Sequence, residues 1–454
     1  MTSPNIILIV LDTLRADAID LLEAEFPEFV SVKNVIAPAP WTLPSHVSIF
    51  TGLYPSIHGS HETVDAKCDD ITKIRNKMPT FTTELRELGY HTVAFSSNIF
   101  VSPTYGFHGF DSFENWRIGW PQLLASLPPS KRGLFRSFLH SRSTLDGAQV
   151  ALRIMAEDRE NLPTALRMII QHVKMRAAQS FPKDKGVSQA IKYFRKLRPP
   201  EPFFLFINLM EAHEPYFKSD NLVSGLSPCP TYAHNQTTIR RWIRGYEFQV
   251  AYLVAKLRQL MDLFESKGML QNTLVIVTSD HGQLLGEHGL IGHGVFLYDE
   301  LVRVPMLVKY PENPAVDGTN YYSLVDLGKL IMNAASGKGL EFSFDTEVYS
   351  ESWGFYEKVS PTKTGLARKM GSSLTDRRVC LYSDGNKVTY NATQDVFEEV
   401  FPLRRKDNEN LSALKEKCMK FAKGATSPVH VQTPLLEPVD EELILDQLRR
   451  LGYA

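Results

Sequence analysis

The feature that most limits the fold is a pair of short apolar runs far apart in the chain, Asn5 to Leu11 and Thr273 to Ser279. Each is almost unbroken and rich in β-branched residues, the pattern of a strand buried on both faces of a parallel sheet. Each leads into polar residues, Asp12-Thr13 after the first and Asp280-His281-Gly282 after the second. Open α/β sheets place their ligands beyond the C-terminal ends of such strands. Asp-His-Gly alone is ordinary turn chemistry, yet a carboxylate and an imidazole leaving one buried strand end suit a divalent metal.

Three further apolar runs, His91 to Ser96, Phe203 to Met210 and Val304 to Tyr310, lie between helical segments that include Thr80 to Leu88 and Thr238 to Ser266. This alternation predicts the α/β class with a doubly wound, mostly parallel central sheet. From about Asp345 the pattern changes to short alternating segments. Val379 to Ser383 and Lys387 to Asn391 flank Asp384-Gly385 and read as a hairpin, followed by a closing helix near Leu411 to Ala422. The predicted division is a catalytic domain over 1–344 and a small C-terminal α+β subdomain over 345–454.

A hydroxyl stands where a helix is about to begin, in Pro40-Trp41-Thr42-Leu43-Pro44-Ser45-His46. Pro44 has the φ favoured at a first helical position, and Val47 to Leu53 reads as a short buried helix. Thr42 then lies at its mouth, where free N–H groups and the positive dipole end favour an alkoxide and a bound phosphate or sulfate. Ser or Thr before a helix is more often a plain cap. A second anion-approaching element is the glycine-rich stretch Gly286 to Gly294, which carries His288 and His293.

Taken in order, Asp12, Thr42-x-Pro44-Ser45 with Thr51-Gly52, His213-Glu214-Pro215-Tyr216, Asp280-His281-Gly282 and Gly286-Glu287-His288-Gly289 resemble the sulfatase branch of the alkaline phosphatase superfamily. Arg303-Val304-Pro305, Lys387 to Asn391 and Asn410-Leu411 are similar to further family regions. The resemblance covers both ends of the chain and implies an alkaline-phosphatase-like α/β/α sandwich with a small antiparallel C-terminal subdomain.

The departures narrow the chemistry. Formylglycine sulfatases need Cys or Ser at the nucleophile followed by x-Pro-x-Arg, whereas this chain has Thr42 and His46, and oxidising a threonine would give a ketone. Ser96-Ser97-Asn98-Ile99 stands where those enzymes usually carry Gly-Lys-Trp-His, and His293 where they carry a lysine. Their calcium site uses paired acids and Asp-Asn, against Asp12-Thr13 and Asp280-His281 here; an imidazole ligand points from calcium towards manganese, zinc or iron, with manganese or zinc preferred.

These substitutions resemble the threonine-nucleophile side of the superfamily: phosphodiesterases, phosphonate monoester hydrolases, and phosphoglycerol or phosphoethanolamine transferases. That resemblance implies one divalent metal held by Asp12, Thr42, Asp280 and His281, with Thr42 as the covalent nucleophile. His213 and His293 are the candidates to hold the non-bridging oxygens or protonate the leaving oxygen. His46 and Asn98 are candidate substrate contacts, with a packed helix histidine and turn chemistry as their respective alternatives. A second metal is an open alternative, with Glu211, His213 and His293 as its ligands. His58, His61, His91, His108, His140, His172, His234 and His288 read as structural.

The expected activity is hydrolysis of phosphate or phosphonate esters. The alternatives are sulfate ester hydrolysis without formylglycine, phosphoryl transfer, and a non-catalytic anion-binding homologue. Substrates would be anionic esters of small molecules, glycans or lipid headgroups. The 454 residues, 43% hydrophobic and 22% charged with a net charge of -1, describe an ordinary globular protein and single out no partner and no oligomeric state. Cys68, Cys229, Cys380 and Cys418 are widely spaced, which argues against a zinc knuckle or a disulfide framework. The first strand begins at once, and no signal or membrane span is visible, so a cytoplasmic location is expected.

An insertion at about 116–200 is strongly basic, with Lys131-Arg132, Arg167, Lys174, Arg176, Lys192 and Arg195 among its charges. It reads as a helical cap with a solvated face, or as a lid recruiting polyanionic or lipid-headgroup substrates, with peripheral membrane contact. No helix-turn-helix, zinc finger or aromatic RNA-binding signature accompanies it, so the nucleic-acid signal is weak, with a nuclease or phosphodiesterase role left open within the enzyme class.

Overall fold

The computed structural model describes residues 3–61, 78–98, 100–116, 184–216, 231–232, 235–310, 320–354, 371–401 and 408–424. Most of the basic insertion lies outside these residues, as do Cys68, Cys229, His140, His172 and His234.

The apolar runs assemble one seven-stranded sheet. Its order is Val30–Ser31, Met306–Lys309, Thr273–Thr278, Asn5–Leu11, Phe203–Leu209, His91–Ser96 and Ser112–Asn115. Asn5–Leu11 pairs in parallel with strands on both sides, and His91–Ser96 does the same. Only the Met306–Lys309 pairings, to Thr273–Thr278 and to Val30–Ser31, are antiparallel. All seven residues of Asn5–Leu11 are buried, which is why the run carries no polar alternation.

Successive side chains point to opposite faces and so build two cores. Ile6, Leu8 and Val10 pack with Phe204, Phe206, Val47, Phe50, Phe81 and Ile331 on one side. Ile7, Ile9 and Leu11 pack with Leu205, Ile207, Phe194, Leu253, Leu257 and Phe264 on the other. The result is an α/β/α sandwich. Each such fully buried Leu, Ile, Val or Phe contributes about 1.5–3 kcal/mol relative to exposure.

The apolar run Val304 to Tyr310 divides at Pro305, and its main strand starts at Met306. Pro305 has no N–H to give a ladder. Arg303–Val304 accordingly pairs with Val35–Ile36 in a small separate sheet, while Met306–Lys309 joins the main one. The long helix is Gln236–Ser266, two residues longer at its start than expected, because Asn235 caps it by accepting from Thr238 N–H at 2.7 Å.

The helix at the candidate nucleophile also starts earlier than expected. It spans Thr42–Thr51, after an extended Trp41, and ends at Gly52 in the left-handed region with φ 69°. Pro44 is therefore its third residue, not its first. The ring is tolerated there because first-turn N–H groups have no intrahelical acceptor.

The C-terminal strands Glu347–Ser352, Arg378–Ser383, Asn386–Asn391 and Val396–Phe401 form a four-stranded antiparallel sheet. Asp384 and Gly385 take φ 47° and 75°, both positive, as a two-residue turn matched to strand twist requires. The Asn408–Gly424 helix lays Leu414, Cys418 and Ala422 on Val379, Leu381 and Val388. Cys380 and Cys418 are both buried. Among the described residues no helix is long and apolar enough to cross a membrane.

Candidate metal and nucleophile site

Four parallel strands deliver the site at one edge of the sheet. Asp12 follows Asn5–Leu11, Asn98 lies just after His91–Ser96, Glu211 and His213 follow Phe203–Leu209, and Asp280 and His281 follow Thr273–Thr278. This is the strand edge at which open α/β sheets bind ligands. The Thr42–Thr51 helix brings its first residue to the same place. Thr42 Oγ1 lies 3.3 Å from His281 Nε2 and 3.4 Å from Asp12 Oδ2.

Asp12, Asp280 and His281 each bring a ligand-type atom within 4.8 Å of the others. His281 Nδ1 donates to Gly282 O at 2.9 Å, which turns Nε2 towards the two carboxylates. That nitrogen stands 3.9 Å from Asp12 Oδ1 and 3.5 Å from Asp280 Oδ2. Both of these carboxylate oxygens are buried without a hydrogen-bond partner. Buried acceptors of this kind are costly unless something positive meets them. The two carboxylates, the imidazole and the threonine hydroxyl therefore fit a divalent ion.

The charge states agree. Burial, and then the Asp280 charge, raise Asp12 well above the usual aspartate range. Burial also pushes Asp280 up, but His281 and His46 outweigh it and hold that carboxyl far below the usual range. Two adjacent buried carboxylates without a cation thus favour one ionised and one protonated group.

Asn98 joins this group directly. Its Nδ2 donates to Asp12 Oδ2 at 2.7 Å and lies 3.4 Å from Thr42 Oγ1. It also makes a turn, its Oδ1 accepting from Phe100 N–H at 2.9 Å. His46, by contrast, takes the packed alternative. Its Nδ1 is 3.0 Å from Thr42 O and 3.3 Å from Asp280 Oδ2, its Nε2 is 3.4 Å from Asn208 Nδ2, and Phe107 and Phe206 meet the ring edge-on. It braces Asp280 and the first turn of the helix.

A second cluster adjoins the first, and it is not the one the sequence suggested. Glu211 Oε1 accepts from Lys185 N–H and Val187 N–H at 2.9 and 2.8 Å, tying down the start of the Val187–Lys196 helix. The carboxylate beside the histidines is Glu214. Its Oε2 accepts from Gln283 Nε2 at 2.8 Å and lies 3.4 Å from His213 Nδ1 and 3.7 Å from His293 Nδ1. His293 Nδ1 donates to Gln283 Oε1 at 2.9 Å. Burial pushes His213 down to about 4 and His293 down to about 3, against the pull of Glu214, so both rings are neutral near pH 7. Glu214 and Gln283 were missed as site residues. Their one sequence signal was adjacency, Glu214 beside His213 and Gln283 two places after His281.

Gly282 sets the His281 turn. Its N–H donates to Leu301 O at 2.8 Å, and a Cβ there would stand 2.0 Å from Glu300 O. Gly282→Ala should therefore displace the turn, costing about 1–3 kcal/mol of stability by overpacking, and weaken metal binding by about tenfold or more as the ligand shell loses its support. Calorimetric metal titration with thermal denaturation checks this; an unchanged affinity would mean the turn shifts without moving His281.

The family model described as Sulfatase matches residues 4–337 of the chain. An arylsulfatase from Clostridium perfringens is 22% identical over 359 residues, 68% of this chain and 69% of that protein. A choline-sulfatase from Rhizobium meliloti is 23% identical over 350 residues, 68% of this chain and 63% of that protein, somewhat under two thirds of its length. Among solved structures, a phosphonate monoester hydrolase from Silicibacter pomeroyi aligns with a TM-score of 0.56 at 14% identity, covering 93% of this chain and 96% of that one. A 2-O GAG sulfatase aligns with a TM-score of 0.60 at 14% identity, covering 97% and 96%. At these identities the structural likeness speaks for the fold.

Proposed function

The chain belongs to the sulfatase family of hydrolases, and within it we propose a metal-dependent hydrolase of phosphate or phosphonate esters that works through a covalent threonine intermediate. The observation that carries this reading is Thr42 itself: a hydroxyl in the first turn of a helix, 3.3 Å from His281 Nε2 and 3.4 Å from Asp12 Oδ2, at the position where formylglycine enzymes need an oxidisable Cys or Ser. In this reading residues 1–344 are the catalytic domain and 345–454 a smaller subdomain.

Asp12, Asp280, His281 and Thr42 would hold one divalent ion, manganese or zinc ahead of calcium because an imidazole is among the donors. When bound, such an ion lowers the pKa of a coordinated hydroxyl and offsets charge on the transferring group. Thr42 Oγ1 forms the new bond to phosphorus while the bond to the alcohol oxygen breaks, and the alcohol leaves with a proton. A water oxygen then takes the phosphoryl group from Thr42, restoring the hydroxyl. Asn98 Nδ2 steadies Asp12 and lies within reach of Thr42 Oγ1 through both steps. His213 and His293 adjoin His281 and, as neutral rings, act through their Nε2 atoms, taking the proton that Thr42 loses and passing it to the leaving oxygen. The substrate is an anionic ester on a small-molecule, glycan or lipid-headgroup alcohol.

Sulfate ester hydrolysis is the second reading, favoured by the names of the arylsulfatase and choline-sulfatase to which the chain is similar. Turnover by metal-free protein reconstituted with manganese, zinc or calcium, on matched aryl phosphate monoester, phosphodiester, phosphonate and sulfate, separates the two. Manganese- or zinc-dependent cleavage of a phosphorus ester is expected. Cleavage of the sulfate alone would overturn the phosphorus reading and leave a threonine-based sulfatase.

A further inference from the structure

We propose that Lys185 is a positioning residue for the reaction, its buried ammonium holding the turn that carries His213 so that the ring is fixed for proton transfer. This rests on the proton-transfer role given to His213 above. Lys185 belongs to the basic insertion, whose charges the sequence assigns to a solvated face or a lid, yet it is only 4% exposed. Its Nζ donates to the backbone carbonyls of Glu211, at 2.9 Å, and of His213. Its own N–H donates to Glu211 Oε1 at 2.9 Å. One residue, distant in sequence, thus grips the turn through both its backbone and its side chain.

The base of this side chain is itself fixed. Lys185 O accepts from Trp116 Nε1 at 3.2 Å, and the same indole N–H lies 3.2 Å from Ser97 Oγ. Gly186 follows at φ 145°, and a Cβ there would stand 2.0 Å from Ser97 Oγ. The chain at Lys185 is therefore pressed against the segment that leads into Asn98, whose Nδ2 donates to Asp12 Oδ2. At its far end the ammonium lies over the Tyr216 ring, 5.4 Å from the centroid. A side chain held at both ends is the kind of support that a precisely placed reacting group needs.

Successive carbonyls of the turn are all taken, those of Glu211 and His213 by Lys185 and that of Ala212 by Tyr216 Oη–H at 3.1 Å. His213 N–H donates to Met210 O at 3.1 Å, and its Nδ1 donates to Glu214 O at 2.7 Å, which settles the ring against its own backbone. A neutral donor would satisfy a turn carbonyl without taking a charge out of water, and an ammonium cannot. What the ammonium adds is stiffness, because charge-assisted hydrogen bonds are shorter and stronger than neutral ones. Stiffness matters at His213, since a misplacement of about 1 Å in a reacting group costs about 100-fold in rate.

The test is kcat/KM for the para-nitrophenyl, phenyl and para-methoxyphenyl esters of methylphosphonate, because a leaving oxygen depends more on a proton as its basicity rises. Lys185→Met should lose about 100-fold on the para-methoxyphenyl ester and only about threefold on the para-nitrophenyl ester. Lys185→Arg, which keeps a cation with several donors, should recover part of that loss, and it keeps the test open should the methionine variant fail to fold. In metal-free protein carrying isotope-labelled histidine, the substitution should also move the His213 ring signals and leave those of His58 in place. Equal losses on all the esters, or unmoved His213 signals, would make Lys185 a structural residue and overturn the inference. His213→Gln, measured beside it, isolates the premise: if this variant too loses every ester equally, the proton-transfer role of His213 falls, and the inference with it.

Discussion

Thr42→Ala is expected to lower kcat by about four orders of magnitude or more while leaving the fold intact, as removal of a covalent nucleophile does. The side chain is buried, and its hydroxyl faces Asp12, Asn98 and His281. Alanine suits the first turn of a helix, so stability should change little. Two companion substitutions separate chemistry from shape. Thr42→Val keeps the volume without the hydroxyl and should be as inactive as Thr42→Ala, whereas Thr42→Ser keeps a hydroxyl and should retain measurable turnover. Rapid acid quenching should trap a phosphorylated Thr42 peptide from the unaltered protein, visible by mass spectrometry. Full activity in Thr42→Ala would show that water makes the bond directly, and the covalent mechanism would fall.

How far the site could be read from the chain depended on whether its residues were placed by strands or by turns. Asn5–Leu11 and Thr273–Thr278 were legible because a short, β-branched, uninterrupted apolar run has few other places to go than the middle of a parallel sheet. Their ends then carried Asp12, Asp280 and His281 with them. Turn-borne residues were harder. Glu211 and Glu214 flank His213 on either side, and the choice between them is made by backbone N–H groups at Lys185 and Val187, far away in sequence. Nothing local to the His213 segment records that Glu211 is taken. His46 follows Thr42 by one helical turn, a spacing equally consistent with facing a ligand or bracing Asp280. Pro44 suggested a helix start two residues late because proline is compatible with the whole first turn, not with its first position alone. Pro305 marks the break before Met306 from sequence alone, since a missing N–H is a property of the residue and needs no context.

Asp12→Asn should weaken binding of the metal ion by about 100-fold or more, since even outer-shell changes cost 10–100-fold, and turnover should fall with it. The informative part is that the same substitution should stabilise the metal-free protein. Without a cation, burial and the Asp280 charge raise Asp12 well above the ordinary aspartate value, so the folded chain keeps a proton that the unfolded chain releases. Stability is then lost as pH rises from about 3.9, the ordinary aspartate value, up to the raised folded value. Asparagine does not titrate and escapes that loss, while its amide oxygen can still accept from Asn98, which now donates to Asp12 Oδ2 at 2.7 Å. The metal-free variant should therefore match the metal-free parent below pH 4 and melt higher than it near pH 7.5. Saturating manganese or zinc should reverse the order at pH 7.5, because only the parent gains the full binding free energy of the ion. Scanning calorimetry of both proteins, stripped and loaded, at the two pH values gives all the comparisons. A variant that melts lower than the parent by the same margin in every condition would make Asp12 a structural residue and remove it from the metal site.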